Sequence, residues 1–113
     1  MANLTNIKVK FFNKDIASII ISEPKTYNAL SFKNLGDLIK AFKKLDEDQN
    51  IKVIIIEGAG KGFSAGHNLK EVNGLKKRAK YQKLFNLCSK LMLQIVEGKK
   101  PVIAKVHGAA FAA

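Results

Sequence analysis

Ile54-Ile55-Ile56-Glu57-Gly58-Ala59-Gly60-Lys61-Gly62-Phe63-Ser64-Ala65-Gly66-His67-Asn68-Leu69-Lys70 is the stretch on which the reading of this chain turns. An apolar, β-branched run gives way to four glycines within nine residues, after which a helix-like segment begins. Glycine tolerates positive φ and has no side chain, so a loop of this kind can bring bare backbone N–H groups against a ligand. Ahead of a helix, those N–H groups favour negative charge.

On the N-terminal side, Ile7 to Phe12 and Ile16 to Ser22 are short β-prone runs joined by Asn13-Lys14-Asp15, which predicts a hairpin closed before Pro24. Ser31 is a good N-cap, and Leu35, Leu38, Ile39, Phe42 and Leu45 follow at spacings of three and four. The spacing predicts an amphipathic helix ending near Asp46 to Asn50. Ile51 to Glu57 then reads as a strand buried on both faces, because three successive isoleucines leave no polar side.

On the C-terminal side, Gly74 is expected to break a short helix begun at His67. Tyr81, Leu84, Leu87, Cys88, Leu91 and Ile95 form the apolar stripe of a second long helix, with Gly98 as its C′ residue and Pro101 beyond. Val102 to Val106 reads as a last buried strand, and Gly108 opens a second small-residue turn. Strand, helix, strand, loop, helix, strand is the pattern of βαβ crossovers and a largely parallel sheet.

With 113 residues, 47% of them apolar, the chain is at most one domain and not of the disordered class. It contains no run of about 18 uncharged apolar residues, so no membrane-spanning helix is expected. Met1 to Lys10 lacks an apolar signal core, and the address reads as cytoplasmic, with a mitochondrial one also compatible. Cys88 stands at an apolar helical position, where a buried thiol is expected. The net charge of +11 suits an anionic partner or a solvated lysine surface. Base reading leans on arginine and on exposed aromatic platforms, whereas Arg78 is the single arginine and no basic–aromatic interleaving occurs. A nucleic-acid partner is therefore not expected. Asn73 to Lys83, with five basic residues, reads as a solvated helix start.

Three chemistries are open for the glycine loop. As a nucleotide loop, Gly58 to Phe63 departs from G-x-G-x-x-G, and Lys61 is followed by Gly62 rather than Ser or Thr. Gly62-Phe63-Ser64-Ala65-Gly66 matches the G-x-S-x-G of a serine hydrolase, with His107 as the histidine outside the loop. An elbow needs its serine at the sharp strand-to-helix turn, and Ser64 stands about seven residues past the strand. The third chemistry is a backbone anion hole, in which two N–H donors from separate loops converge on one oxygen as charge develops there. One donor would lie near Gly66-His67. The other would come from Val106-His107-Gly108-Ala109-Ala110-Phe111-Ala112-Ala113, whose small residues permit close backbone approach. The plainer alternative is that the glycines only turn the chain and the alanines only pack.

Pro24-Lys25-Thr26-Tyr27-Asn28-Ala29-Leu30-Ser31, Gly58 to Leu69, and Lys100-Pro101-Val102-Ile103-Ala104-Lys105-Val106-His107-Gly108-Ala109-Ala110 together resemble the crotonase (enoyl-CoA hydratase/isomerase) superfamily. The three blocks come in that family's order and span essentially the whole chain. The resemblance implies an α/β fold, the N-terminal part of a ββα superhelical spiral that is incomplete at the C-terminus. It implies an acyl-coenzyme A substrate with no permanently bound cofactor and no metal. It also implies assembly of the intact protein as a homotrimer or a hexamer made of two trimers.

By the same resemblance, the two oxyanion-hole N–H groups fall on His67 and Ala113. Ala65, Asn68, Leu69 and Lys70 line the path of the adenine and pantetheine, and Lys25 and Tyr27 stand at the pocket edge. Only the backbone of His67 is implied, because its imidazole stands where the family usually has alanine. Asn68 replaces a common aspartate. The family's acid–base carboxylates correspond to positions after Ala113, and Glu57, Glu71 and Glu97 match none of them. The expected activity is thus enoyl-CoA hydratase or isomerase chemistry through a stabilised thioester enolate. A catalytically incomplete CoA-binding fragment or partner domain is the alternative.

Overall fold

In a computed structural model, the structure describes residues 6–66, 78–108 and 110. β1 (Ile7–Phe11) and β2 (Ile16–Ile21) form an antiparallel hairpin in register from Ile7↔Ile21 to Phe11↔Ala17. Asn13 closes its turn as the sequence predicts: Oδ1 accepts from the N–H groups of Asp15 and Ile16, both at 3.0 Å. After a 3₁₀ turn at Pro24–Thr26 come α1 (Phe32–Glu47), β3 (Val53–Gly58), α2 (Arg78–Glu97) and β4 (Val102–Lys105). The sheet order is β1-β2-β3-β4, with both β2–β3 and β3–β4 parallel. This is the mixed α/β class expected, and parallel neighbours need the helical crossovers that the apolar spacing indicates.

α1 starts where the serine predicts. Ser31 Oγ accepts from the Asn34 N–H at 3.1 Å, satisfying one of the donors a helix start leaves open. Leu35, Leu38, Ile39, Phe42 and Leu45 are buried against the sheet face of Ile7, Ala17, Ile19, Ile21 and Ile54. Leu84, Cys88 and Leu91 of α2 close the same core, with Leu87 and Ile95 partly buried beside them.

Two expectations need correction. β4 is not a buried strand: Ile103 is 54% exposed, because β4 lies at the sheet edge and its far side has no strand among the described residues. β3 is not buried on both faces: Ile54 is buried, whereas Ile55 and Ile56 are half-buried. Gly98 directly follows α2 as expected, and among the described residues the positive-φ glycines are Gly60, Gly66 and Gly108 rather than Gly98. Its requirement is room. A Cβ there would come within 2.9 Å of the Gln94 carbonyl oxygen and 3.3 Å of Asp46 Oδ1. The Asp46 carboxylate accepts the Lys99 N–H at 2.9 Å, and Lys100 Nζ caps the Leu45 and Asp48 carbonyls at the end of α1. The helix break expected at Gly74 lies outside the described residues.

Candidate functional site

β3 delivers the chain into the glycine loop at Gly58, and packing dictates the residue there. A Cβ at Gly58 would meet the Phe63 carbonyl oxygen at 2.2 Å and Asn28 Nδ2 at 2.9 Å. The loop therefore folds back on its own first residue, with Gly60 (φ 85) and Gly66 (φ 82) taking conformations that side chains rarely adopt.

Asn28 holds this shape. It is 2% exposed and sits in the left-handed region at φ 58, where asparagine is tolerated better than most residues. Its Nδ2 donates to the Ala59 carbonyl at 2.8 Å and lies 3.2 and 3.3 Å from those of Gly62 and Phe63. Its Oδ1 accepts the Glu23 N–H at 2.8 Å. Beneath it, buried Asn34 donates to the Ala29 carbonyl at 2.8 Å and to Glu23 Oε2 at 3.2 Å, while Asn6 donates to Glu23 Oε1 at 2.9 Å. Sequence reasoning missed Asn28 as the organiser of the loop. The signal was an asparagine at the end of a Pro-started turn, a position suited to positive φ.

The far end of the loop is sewn to the segment after Asn28. Ala65 N–H donates to the Tyr27 carbonyl at 2.9 Å, and Leu30 N–H donates to the Gly66 carbonyl at 2.6 Å. Between them, Ser64 Oγ donates to the Asn28 carbonyl at 2.7 Å and accepts the Gly66 N–H at 3.1 Å. Ser64 is 5% exposed with its hydroxyl engaged on both sides. The imidazole of His107 is bonded elsewhere, its Nε2 lying 2.7 Å from the Gly60 carbonyl oxygen. The G-x-S-x-G match is thus a structural knot, and the serine-hydrolase reading has no poised nucleophile.

A parallel bridge joins Ser64 to Ala110, so the glycine loop and the turn after β4 run side by side in the same direction. Gly108 makes this approach possible: at φ 60, a Cβ there would stand 2.2 Å from the Lys61 carbonyl oxygen. Under the bridge lies an apolar cavity of about 290 Å³, lined by residues including Phe63, Leu91, Met92, Ile95 and Ala104. On the outer side of the loop, Pro24, Tyr27, Asn28 and Ala59–Gly62 line a second cavity of about 280 Å³.

Tyr27, 70% exposed at φ 54, lines that outer cavity, and Lys25 is exposed on the preceding turn. Ala65 is half-buried, with its N–H already bonded to Tyr27. His67, Asn68, Leu69, Lys70 and Ala113 lie outside the described residues. Glu57 is engaged in the sheet, accepting from buried Ser18 Oγ at 2.5 Å with Lys105 Nζ at 4.0 Å. Among the described residues no cluster of three or more His, Cys, Asp or Glu is placed to hold a metal, and no helix is long and apolar enough to cross a membrane.

A mixed sheet with two glycine-bearing loops brought into parallel register defines the class of fold to compare. Residues 12–113 match the enoyl-CoA hydratase/isomerase family, and the chain belongs to that family. It is 39% identical over 98 residues to the mitochondrial enoyl-CoA hydratase domain-containing protein 3 of Rattus norvegicus, covering 87% of this chain and 33% of that protein. Among solved structures it is similar to enoyl-CoA hydratase from Mycobacterium smegmatis, with a TM-score of 0.87 and 36% identity, covering 91% of this chain and 40% of that one. The human enoyl-coenzyme A hydratase domain-containing protein 3 superposes with a TM-score of 0.85 at 35% identity, over 91% of this chain and 40% of that one. The chain thus spans about a third of the length of the curated relatives it matches.

Proposed function

We propose that this chain binds an acyl-coenzyme A thioester and polarises its carbonyl through backbone N–H groups of His67 and Ala113. The observation that carries this reading is the parallel bridge between Ser64 and Ala110. His67 and Ala113 each follow one side of that bridge by three residues in the sequence, which supports the reading that two amides from separate loops serve one oxygen. Such paired donors stabilise negative charge as it develops on a thioester oxygen, giving it enolate character.

Coenzyme A is substrate here rather than a resident cofactor. The path proposed for its nucleotide and pantetheine arm runs past Lys25, Tyr27, Ala65, Asn68, Leu69 and Lys70. The outer cavity beside Tyr27 has room for only part of such a ligand, and the surplus of lysines suits its anionic groups. The hydratase or isomerase reaction needs acid–base groups in addition. Glu57 is held by Ser18 and Glu23 by Asn6, Thr26 and Asn34, so neither is proposed for proton transfer. A CoA-binding partner domain without turnover is the second reading, favoured by this engagement. The assembly proposed is a homotrimer or a hexamer, and the compartment is cytoplasmic or, following the rat relative's name, mitochondrial.

Calorimetric titration of the 113-residue chain with acetyl-CoA tests the binding claim. Saturable heat with a matching rise in melting temperature is expected. No heat and no thermal shift at millimolar ligand would overturn it.

A further inference from the structure

β3 and β4 stay in ladder register only as far as Glu57↔Lys105, and the two chains next meet at Ser64↔Ala110. One chain has six residues between those points and the other four, so the intervening loops differ in length and must be brought back into step. Two described contacts span this gap. His107 Nε2 lies 2.7 Å from the Gly60 carbonyl oxygen, and Gly108 is seated against Lys61 and Gly62.

We infer that His107 is a positioning residue, its imidazole clamping the turn after β4 to the glycine loop and so fixing the spacing of the two N–H donors proposed above. A carbonyl oxygen only accepts, so Nε2 carries the proton and donates. That donor is present in the neutral Nε2–H tautomer and in the imidazolium alike. Gly108 supplies close approach, and the Ser64–Ala110 bridge sets the register beyond the gap but makes no bond within it. The ring bond falls within the gap. His107 itself touches the loop backbone and not the ligand.

This inference rests on the thioester-binding reading, and its test separates the two. Acetyl-CoA and free coenzyme A differ only at the sulfur, where an acetyl group replaces the thiol hydrogen, so the change in their affinity ratio between parent and variant reports on the thioester end of the site. The parent chain, His107→Phe, His107→Ala and His107→Gln are titrated with both ligands, and their melting temperatures are recorded. The parent is expected to prefer acetyl-CoA. Phe keeps the ring without the donor, and Ala removes both. Each is expected to lose roughly five- to tenfold of that preference, about the net worth of one hydrogen bond, while keeping its affinity for free coenzyme A. Gln restores an N–H at similar reach and is expected to restore the preference. A merely structural histidine would lower both affinities together and leave their ratio unchanged. If the parent prefers acetyl-CoA and His107→Phe retains that preference in full, the clamp is wrong. If the parent binds neither ligand, or binds both equally, the thioester-binding reading fails and the clamp falls with it.

Discussion

The Ser64 hydroxyl donates to the Asn28 carbonyl at 2.7 Å, tying the end of the glycine loop to the residue that shapes its beginning. The same oxygen accepts the Gly66 N–H, so Ser64→Ala would leave a buried donor and a buried acceptor without partners. We expect a loss of about 2 kcal/mol in unfolding free energy. Well below the melting transition, acetyl-CoA binding should persist within severalfold. Chemical denaturation and titration of the same preparation check both statements. A variant as stable as the parent would show that the knot contributes little.

Asn28 is the more exposed point of failure. Three loop carbonyls converge on its Nδ2 and one N–H on its Oδ1, all in a residue held at φ 58. Asn28→Asp keeps the acceptor and turns the donor into a second oxygen facing those carbonyls. A loss of about 3 kcal/mol is expected, larger than for Ser64→Ala, because lone-pair repulsion is added to the missing bonds. Urea midpoints of the two variants, measured side by side, decide the order.

Much of this was legible in the chain because it is local. The apolar spacing from Leu35 to Leu45, capped by Ser31, sets α1 by rules acting within four residues, and the Asn13 turn is equally short-range. The partners of Asn28 lie 31 to 35 residues away, so its role follows only once the loop is folded back. The edge position of β4 was hidden for a related reason. Val102 to Val106 looks the same whether or not a strand lies beyond it. At Gly98, sequence indicates a helix-ending glycine but cannot separate a need for positive φ from a need for room.

Cys88 should behave as a core side chain. Burial among Leu84, Leu91 and their neighbours raises its pKa above the ordinary thiol value. At neutral pH the native thiol is therefore protonated and sheltered, and alkylation by iodoacetamide should be slow until denaturant is added. The sign of the linkage follows. The raised folded-state value means that stability is fully present below about 9.0 and is lost as pH climbs through the higher native value. Cys88→Ala should flatten that alkaline decline. A decline unchanged in the variant would assign it to other groups.

Gly58, Gly98 and Gly108 are needed for space, Gly60 and Gly108 for φ, and Gly36 for neither. At Gly108 both demands coincide, with φ 60 and a Cβ that would sit 2.2 Å from a backbone oxygen, so alanine there should unfold the turn or displace the glycine loop. Gly58→Ala meets an oxygen at the same 2.2 Å without the φ demand, and backbone rather than a flexible side chain must yield. Gly60→Ala meets nothing within 4 Å and bears only the left-handed penalty of about 1 kcal/mol. Gly36 lies inside α1 with nothing within 4 Å of an added Cβ, so Gly36→Ala should stabilise the chain by about 1 kcal/mol. Melting temperatures of the four alanine variants should rank Gly36 above the parent, then Gly60, Gly58 and Gly108. A Gly58→Ala variant as stable as Gly60→Ala would mean that the fold-back of the loop onto β3 is looser than the 2.2 Å approach requires.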